Sequence, residues 1–338
     1  MKLKYITFGF ILVLFTFLAS CNTQQTETST SKENENEATQ QEEVKPLKIY
    51  TTLYPLEDFT KKIGGENVDI ESIIPPGSDA HTYEPTSKQM INIAEADAFI
   101  YNGLGMESFS EKIAAALESE KVIMVEAAHG IETIAHEHDH HHEDELNEGR
   151  EHEHKEDEEH GLDNEEFDPH VWLDPYRSII LAENIKNALV ELRPDAKEEF
   201  DKNYELLKSE LEKLDEEFHQ LVASKIEPEI LVSHAAYGYW EERYGIHQIA
   251  VAGLSQSDEP SQKALENIIE IANEKQIKYV IFEQNVTPKV AEVIRKEINA
   301  EPLRLHNISV LTAENIQQQE DYFSLMQKNL ETLDKALD

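Results

Sequence analysis

Residues 195–223 constrain the fold more than any other part of the chain. Phe200, Tyr204, Leu207, Leu211, Leu214, Phe218 and Leu221 recur there every three or four residues, with charged side chains between them. That spacing lays the apolar groups along one face of an α-helix. Asp195 stands where an N-cap belongs. At about 1.5 Å per residue the helix is roughly 40 Å long, enough to run across two lobes.

On either side of this stretch, short β-rich runs alternate with helical patterns. Before it, strands are predicted at 48–52, 68–74, 98–101 and 122–125. Helices are predicted at 56–63, 87–96, 106–117 and 176–192. After it, strands are predicted at 230–232, 248–251, 279–282 and 303–305, and helices at 236–244, 261–275, 288–298 and 317–337. Strands separated by helices form parallel sheets covered on both faces. The expected fold class is therefore α/β, with two parallel-sheet lobes at 46–194 and 224–338 joined by a long rigid helix at 195–223. No short repeat of the solenoid or propeller kind is visible.

The N-terminal region reads differently. Lys2 and Lys4 precede an almost wholly apolar run from Tyr5 to Leu18, followed by Ala19, Ser20 and Cys21. Charge, a short apolar run and small residues mark residues 1–20 as a secretory signal peptide. The run is shorter than the ~20 residues that a membrane-spanning helix needs. Cys21 is the sole cysteine, so no intramolecular disulfide is available to the chain. Its place resembles the lipobox of bacterial lipoproteins, which implies lipidation there and attachment to the cell membrane on its outer side. Residues 21–45 carry almost nothing apolar and are expected to be a disordered tether.

The formal net charge of −39 repels phosphate backbones and excludes nucleic acid as a partner. It favours cations. Part of it sits in a low-complexity insertion at 136–166, which holds His136, His138, His140, His141, His142, His152, His154 and His160 among acids. Imidazoles and carboxylates in such a segment bind metal without fixed geometry, as auxiliary sites. Residues 136–140 formally match the H-E-x-x-H signature of zinc proteases. That motif needs a helix with an apolar face to hold it, and this segment has none.

Three other histidines sit where open α/β sheets bind ligands, at the carboxyl ends of strands or on the loops beyond them. His81 follows a strand and the Pro75-Pro76-Gly77 turn. His170 lies in Phe167-Asp168-Pro169-His170-Val171-Trp172-Leu173-Asp174-Pro175. His234 follows strand 230–232, and Glu283 has the matching place after strand 279–282. Three imidazoles and one carboxylate suit tetrahedral zinc, although sequence spacing alone does not bring them together. Asp258 or a water is the alternative fourth donor. Asp168 and Glu84 are candidates to orient the imidazoles. His129, His219, His247 and His306 read as surface or core-edge residues. Trp172 and Trp240 read as packing residues near the cleft, and Tyr237, Tyr239, Trp240 and Tyr244 as a buried helix face.

From Lys48 to the C-terminus the chain resembles the solute-binding lipoproteins of bacterial ABC-type zinc and manganese importers. The matching segments are His81-Thr82-Tyr83-Glu84-Pro85, residues 167–175, Ser233-His234-Ala235-Ala236-Tyr237, residues 253–261 and Phe282-Glu283-Gln284-Asn285. The resemblance implies a metal held between the lobes by His81 and His170 from the first and His234 and Glu283 from the second. It implies a permease as partner, a monomeric receptor and transported Zn2+ as the ligand. Manganese-type relatives tend to have a carboxylate where this chain has His234, and usually lack a His-rich insertion. Imidazole favours zinc and oxygen-rich shells favour manganese, so zinc is the expected metal. A four-ligand shell leaves no open position for catalysis, so no enzyme is expected. The rival readings are a manganese-importer component, a surface adhesin or interaction lipoprotein, and a zinc hydrolase with a metal-bound water.

Overall fold

The computed structural model describes residues 45–117, 119–135, 167–284 and 286–338. The expected signal peptide, Cys21, the tether up to residue 44 and the insertion 136–166 with its eight histidines lie outside the described residues. Among the described residues no helix is long and apolar enough to cross a membrane.

Adjacent parallel strands need a crossover between them, and here a helix supplies it. In the first lobe β1 (Leu47–Thr51), β2 (Val68–Ser72), β3 (Ala98–Tyr101) and β4 (Ile123–Glu126) are linked by α1 (Tyr54–Gly64), α2 (Ser87–Ala94) and α3 (Ser110–Leu117). All pairs are parallel, in the order β2-β1-β3-β4. Local chemistry sets the helix ends. Pro55 and Glu57 occupy the first turn of α1, and Lys61 and Lys62 its last, which complements the helix dipole. Thr86 and Gln89 form a capping box on α2.

The second lobe repeats the arrangement. Its strands β5 (Glu229–His234), β6 (His247–Ala252), β7 (Tyr279–Glu283) and β8 (Glu301–Leu305) alternate with α6 (Gly238–Tyr244), α7 (Gln262–Glu274) and α8 (Lys289–Glu297). They pair in parallel in the order β6-β5-β7-β8. Helix α4 (Pro175–Leu192) completes the first lobe, α5 (Lys197–Ala223) lies between the lobes in sequence, and α9 (Ala313–Gln318) and α10 (Tyr322–Ala336) follow the second.

The helix expected at 195–223 is α5. It buries Phe200, Tyr204, Leu207, Leu211, Leu214 and Phe218, and leaves Leu221 partly covered. Each fully buried aromatic on this face contributes on the order of 2–3 kcal/mol. The side chains pack against α1 and α4 of the first lobe and against α6 and α10. The core is continuous across both lobes, from Ile49 and Phe99 through α5 to Ile230, Val232 and Ile281, with a smaller cluster around Val280, Phe282 and Ile294. The lobes are thus fused by packing as well as joined by one helix.

Three element boundaries depart most from the sequence reading. Asp195 does not cap α5: Pro194–Ala196 form a turn of 3-10 helix, and α5 starts at Lys197 with no side-chain cap. Helix α3 starts at Ser110 rather than 106, because Gly103, Leu104 and Gly105 take left-handed backbone and the Glu107 carboxylate folds back onto the amides of Asn102 and Gly103. The single helix expected at 317–337 is broken at Gln319, which has φ 57°. Asp321 and Ser324 then cap α10 afresh.

Candidate metal centre

The candidate ligands are placed by a turn, a 3-10 turn and two strand ends. His81 sits in a turn after β2, where its amide donates to Asp79 Oδ1 at 3.0 Å. His170 opens the 3-10 turn Val171–Leu173. Its loop is held from several sides. Asn102 Nδ2 donates to Pro169 O at 3.0 Å, Tyr239 Oη donates to Asp168 O at 2.6 Å, and Trp240 Nε1 donates to Leu173 O at 2.7 Å. His234 and Glu283 are the last residues of β5 and β7. These central strands flank the point where the strand order reverses, the crevice at which open α/β sheets bind ligands.

The three imidazoles converge. His81, His170 and His234 each present a ring nitrogen, and the three nitrogens lie within 4.8 Å of one another. His81 Nε2 is 3.2 Å from His170 Nε2. His170 Nδ1 faces Asp168 Oδ1 at 2.7 Å, which fixes the tautomer and leaves Nε2 free for the cluster. Asp168 is therefore the orienting carboxylate, whereas Glu84 is exposed. Glu283 joins through His234, whose Nδ1 lies 2.8 Å from Glu283 Oε1. The pair is not aligned as a hydrogen bond, and both nitrogens of His234 and Oε1 of Glu283 are buried without a hydrogen-bond partner. Buried polar groups of that kind are costly unless something satisfies them, and a cation among the four side chains would do so.

The electrostatics fit the same picture. Burial, with His170 and His234 as neighbours, pushes the His81 imidazole down to about 2. Burial also acts to lower His234, but the Glu283 carboxylate, with Asp168 and Asp79, more than reverses it and lifts the imidazole above its usual value. Burial alone would raise Glu283; His234 beside it, with His170 and Asn307, holds it below the usual carboxylate range.

The structure also contains functional residues that sequence reasoning missed. Gln256 Nε2 and Asn307 Nδ2 both donate to Glu283 Oε2, Asn307 at 2.7 Å. Asp258, the alternative fourth donor, is exposed and accepts from the Ser255 amide at 2.8 Å within its own loop. Trp172 and Trp240, fully buried as expected, also bridge the lobes. Trp172 Nε1 donates to Asn307 O at 2.7 Å, and Trp172 O accepts from Tyr322 Oη at 2.7 Å. Gly238 lies so close to the His170 loop that a Cβ there would meet Asp168 Oδ2 at 2.5 Å. Of the background histidines, His306 is buried and bonded to Asn315 at 2.9 Å. His129, His219 and His247 are exposed.

Two fused parallel-sheet lobes with histidines meeting at the junction define the solute-binding class of α/β protein. The chain belongs to the ZnuA family, zinc-uptake complex component A, periplasmic, whose family model matches residues 49–336. It is similar to the zinc-binding protein AdcA of Streptococcus pyogenes serotype M3, with 36% identity over 288 residues, 85% of this chain and 55% of that protein. The chain thus spans about half the length of such curated relatives. It is also similar to the high-affinity zinc uptake system protein ZnuA of Bacillus subtilis, with 30% identity over 298 residues, 86% of this chain and 88% of that protein. Among solved structures, the Zn(II)-bound ZnuA-like domain of Streptococcus pneumoniae AdcA aligns with a TM-score of 0.70 and 32% identity, covering 87% of this chain and 99% of that one.

Proposed function

We propose that this chain is an extracytoplasmic receptor that binds one Zn2+ through His81, His170, His234 and Glu283 and delivers it to the permease of an ABC importer. The carrying observation is the convergence of three imidazole nitrogens within 4.8 Å, two of the rings buried and His81 half-buried, beside a carboxylate oxygen and a histidine that lack hydrogen-bond partners. Nitrogen-rich, low-coordinate shells suit zinc, and manganese prefers more oxygen donors. A zinc-uptake family and a zinc-binding relative support the same metal. Four protein donors leave no position for a reacting water, which supports a receptor that does not turn over substrate.

Cys21 as the lipid anchor and a monomeric receptor complete the proposal. The His-rich insertion serves as auxiliary zinc capture. Its flanks come together as an isolated bridge between Ala135 and Phe167, adjacent to Asp168. Release needs local movement of the ligand loops, because the lobes share one core. A growth experiment tests the proposal. Deleting the chain in its host should abolish growth under zinc limitation. Added zinc or the wild-type chain should restore growth, and a His81→Ala chain should not. Growth that ignores both the deletion and zinc supply would rule out the transport reading.

A further inference from the structure

The surroundings of Glu283 hold information about metal choice that the ligand set alone does not. A carboxylate can bind a metal through one oxygen or through both. Two oxygens raise the coordination number, which suits manganese and other hard cations better than zinc. Here the two oxygens of Glu283 have different surroundings. Oε1 faces His234 and has no hydrogen-bond partner. Oε2 accepts from Asn307 Nδ2 at 2.7 Å and from Gln256 Nε2.

The donor face of Asn307 is fixed by its own bonds. Its Oδ1 accepts from Ser309 N at 3.1 Å, Ser309 Oγ at 2.9 Å and Gln284 Nε2 at 3.1 Å. Three donors on one atom identify it as the oxygen, so the amide nitrogen must face Glu283. The Asn307 backbone is tied as well: its carbonyl accepts from Trp172 Nε1 and its amide donates to Gln284 Oε1 at 3.1 Å. The second donor comes from the other side. Gln256 lies in the loop between β6 and α7, where Asp258 accepts from the Ser255 amide and the Asp258 carbonyl accepts from Gly253 N. Two amides from separate loops thus occupy Oε2.

We propose that Asn307 and Gln256 are positioning residues that keep Glu283 a one-oxygen ligand, so that the site holds four donors and selects Zn2+ over Mn2+. This rests on the reading of His81, His170, His234 and Glu283 as the metal shell. Neither amide touches the metal. Their hydrogen bonds keep Oε2 from turning toward it, much as partners behind a ligand tune affinity at other metal sites.

Cobalt(II) reports coordination number through its visible absorption, which is strong in four-coordinate sites and weak in five- or six-coordinate ones. The full chain, Gln256→Leu and Asn307→Ala are each titrated with Co2+, with spectra taken as differences against His170→Ala. Zn2+ and Mn2+ affinities are measured in parallel by chelator competition. The wild-type chain should give the strong four-coordinate spectrum. Gln256→Leu should weaken it and lower the zinc-to-manganese affinity ratio by about tenfold, mainly through tighter manganese binding. Asn307→Ala should do the same more strongly. Gln256 is only part-buried in its loop, so its variant decides the matter even if Asn307→Ala fails to fold. A wild-type chain that binds tightly, with spectrum and ratio unchanged in Gln256→Leu, overturns the clamp alone. A wild-type chain that binds neither Zn2+ nor Co2+ at the histidine site overturns the underlying shell assignment, and the clamp with it.

Discussion

The two lobes share one strand order and use it in opposite ways. In the second, the crevice between the central strands β5 and β7 carries two of the proposed ligands directly, His234 and Glu283 at the strand ends. In the first, the equivalent crevice between β1 and β3 is filled by Glu107. This buried carboxylate accepts from Thr52 Oγ1, from the Asn102 amide at 2.8 Å and from the Gly103 amide at 3.2 Å. The first lobe therefore presents its proposed ligands on loops, His81 after an edge strand and His170 on a segment tied down by Asn102, Asp168 and Tyr239. Strand-end ligands inherit their position from the sheet, whereas loop ligands depend on individual hydrogen bonds. The two halves of the site should thus fail differently when their supports are cut.

The sharpest contrast is Asp168→Ala. It removes the acceptor that fixes His170 Nδ1, and zinc affinity should fall by about 10–100-fold. In calorimetric or chelator titrations, Gln256→Leu beside Glu283 should by comparison change zinc affinity little and selectivity more. An Asp168→Ala chain with unaltered zinc affinity would break the distinction between loop-borne and strand-borne ligands.

The pH profile gives the next largest effect. His81 is neutral down to about 2, so it loses nothing on mild acidification. His234 is raised by the Glu283 carboxylate after the opposing pull of burial, so in the empty site it gains its proton above the ordinary histidine value of about 6.5. Zinc must displace that proton, and affinity should drop by up to about tenfold per pH unit below that point. Competition titrations from pH 8 to pH 5.5 test this, and a flat profile would contradict it.

Much of this organisation was legible in the sequence. Periodicity located α5, because burial on one face of a helix imprints a repeat, and short β-rich apolar runs located the strands among the described residues. His81, His170 and His234 were candidates from their places beyond strand ends, but only the family resemblance put them in one shell; the structure brings their ring nitrogens together. Glu283 was harder to read, because one acid among many carries no pattern. Gln256 lay in the family-like segment 253–261 but nothing there gave it a role, and Asn307 carried no signal at all. An amide in a loop becomes specific only through the atoms the fold puts opposite it. Gly238 was hidden for the same reason: its need for a missing Cβ comes from Asp168, seventy positions earlier in the chain. The break at Gln319 was missed because a glutamine with left-handed backbone has no compositional mark.

Gly238→Ala tests that close approach. The added methyl meets Asp168 at 2.5 Å, so the variant should lose about 1–3 kcal/mol of stability in denaturant melts, and some zinc affinity through displacement of the His170 loop. Unchanged stability and affinity would show that the junction between the lobes is looser than its packing suggests.

Glu107→Gln should have the smallest effect. Burial raises the Glu107 carboxyl above its usual range, against the lowering pull of Thr52, Asn102 and Gly103. A carboxyl with a raised folded-state pKa contributes stability that is fully present below about pH 4.5, its unfolded value, and is lost as pH rises through the folded value. The glutamine variant should show a flatter loss of stability between pH 5 and pH 8 than the wild type. Equal slopes would mean that Glu107 carries a charge in its crevice, like Glu283 in the second lobe.

The central claim is that one tight zinc site is built at the junction of the lobes from both kinds of ligand. Chelator-competition measurements of zinc stoichiometry and affinity test it most directly. The chains to compare are the wild type, one lacking residues 136–166 and His170→Ala. The account predicts one tight zinc that survives removal of the insertion and is lost with His170→Ala. Tight binding that disappears with the insertion and ignores His170→Ala would contradict it, and would make the histidine-rich segment the receptor.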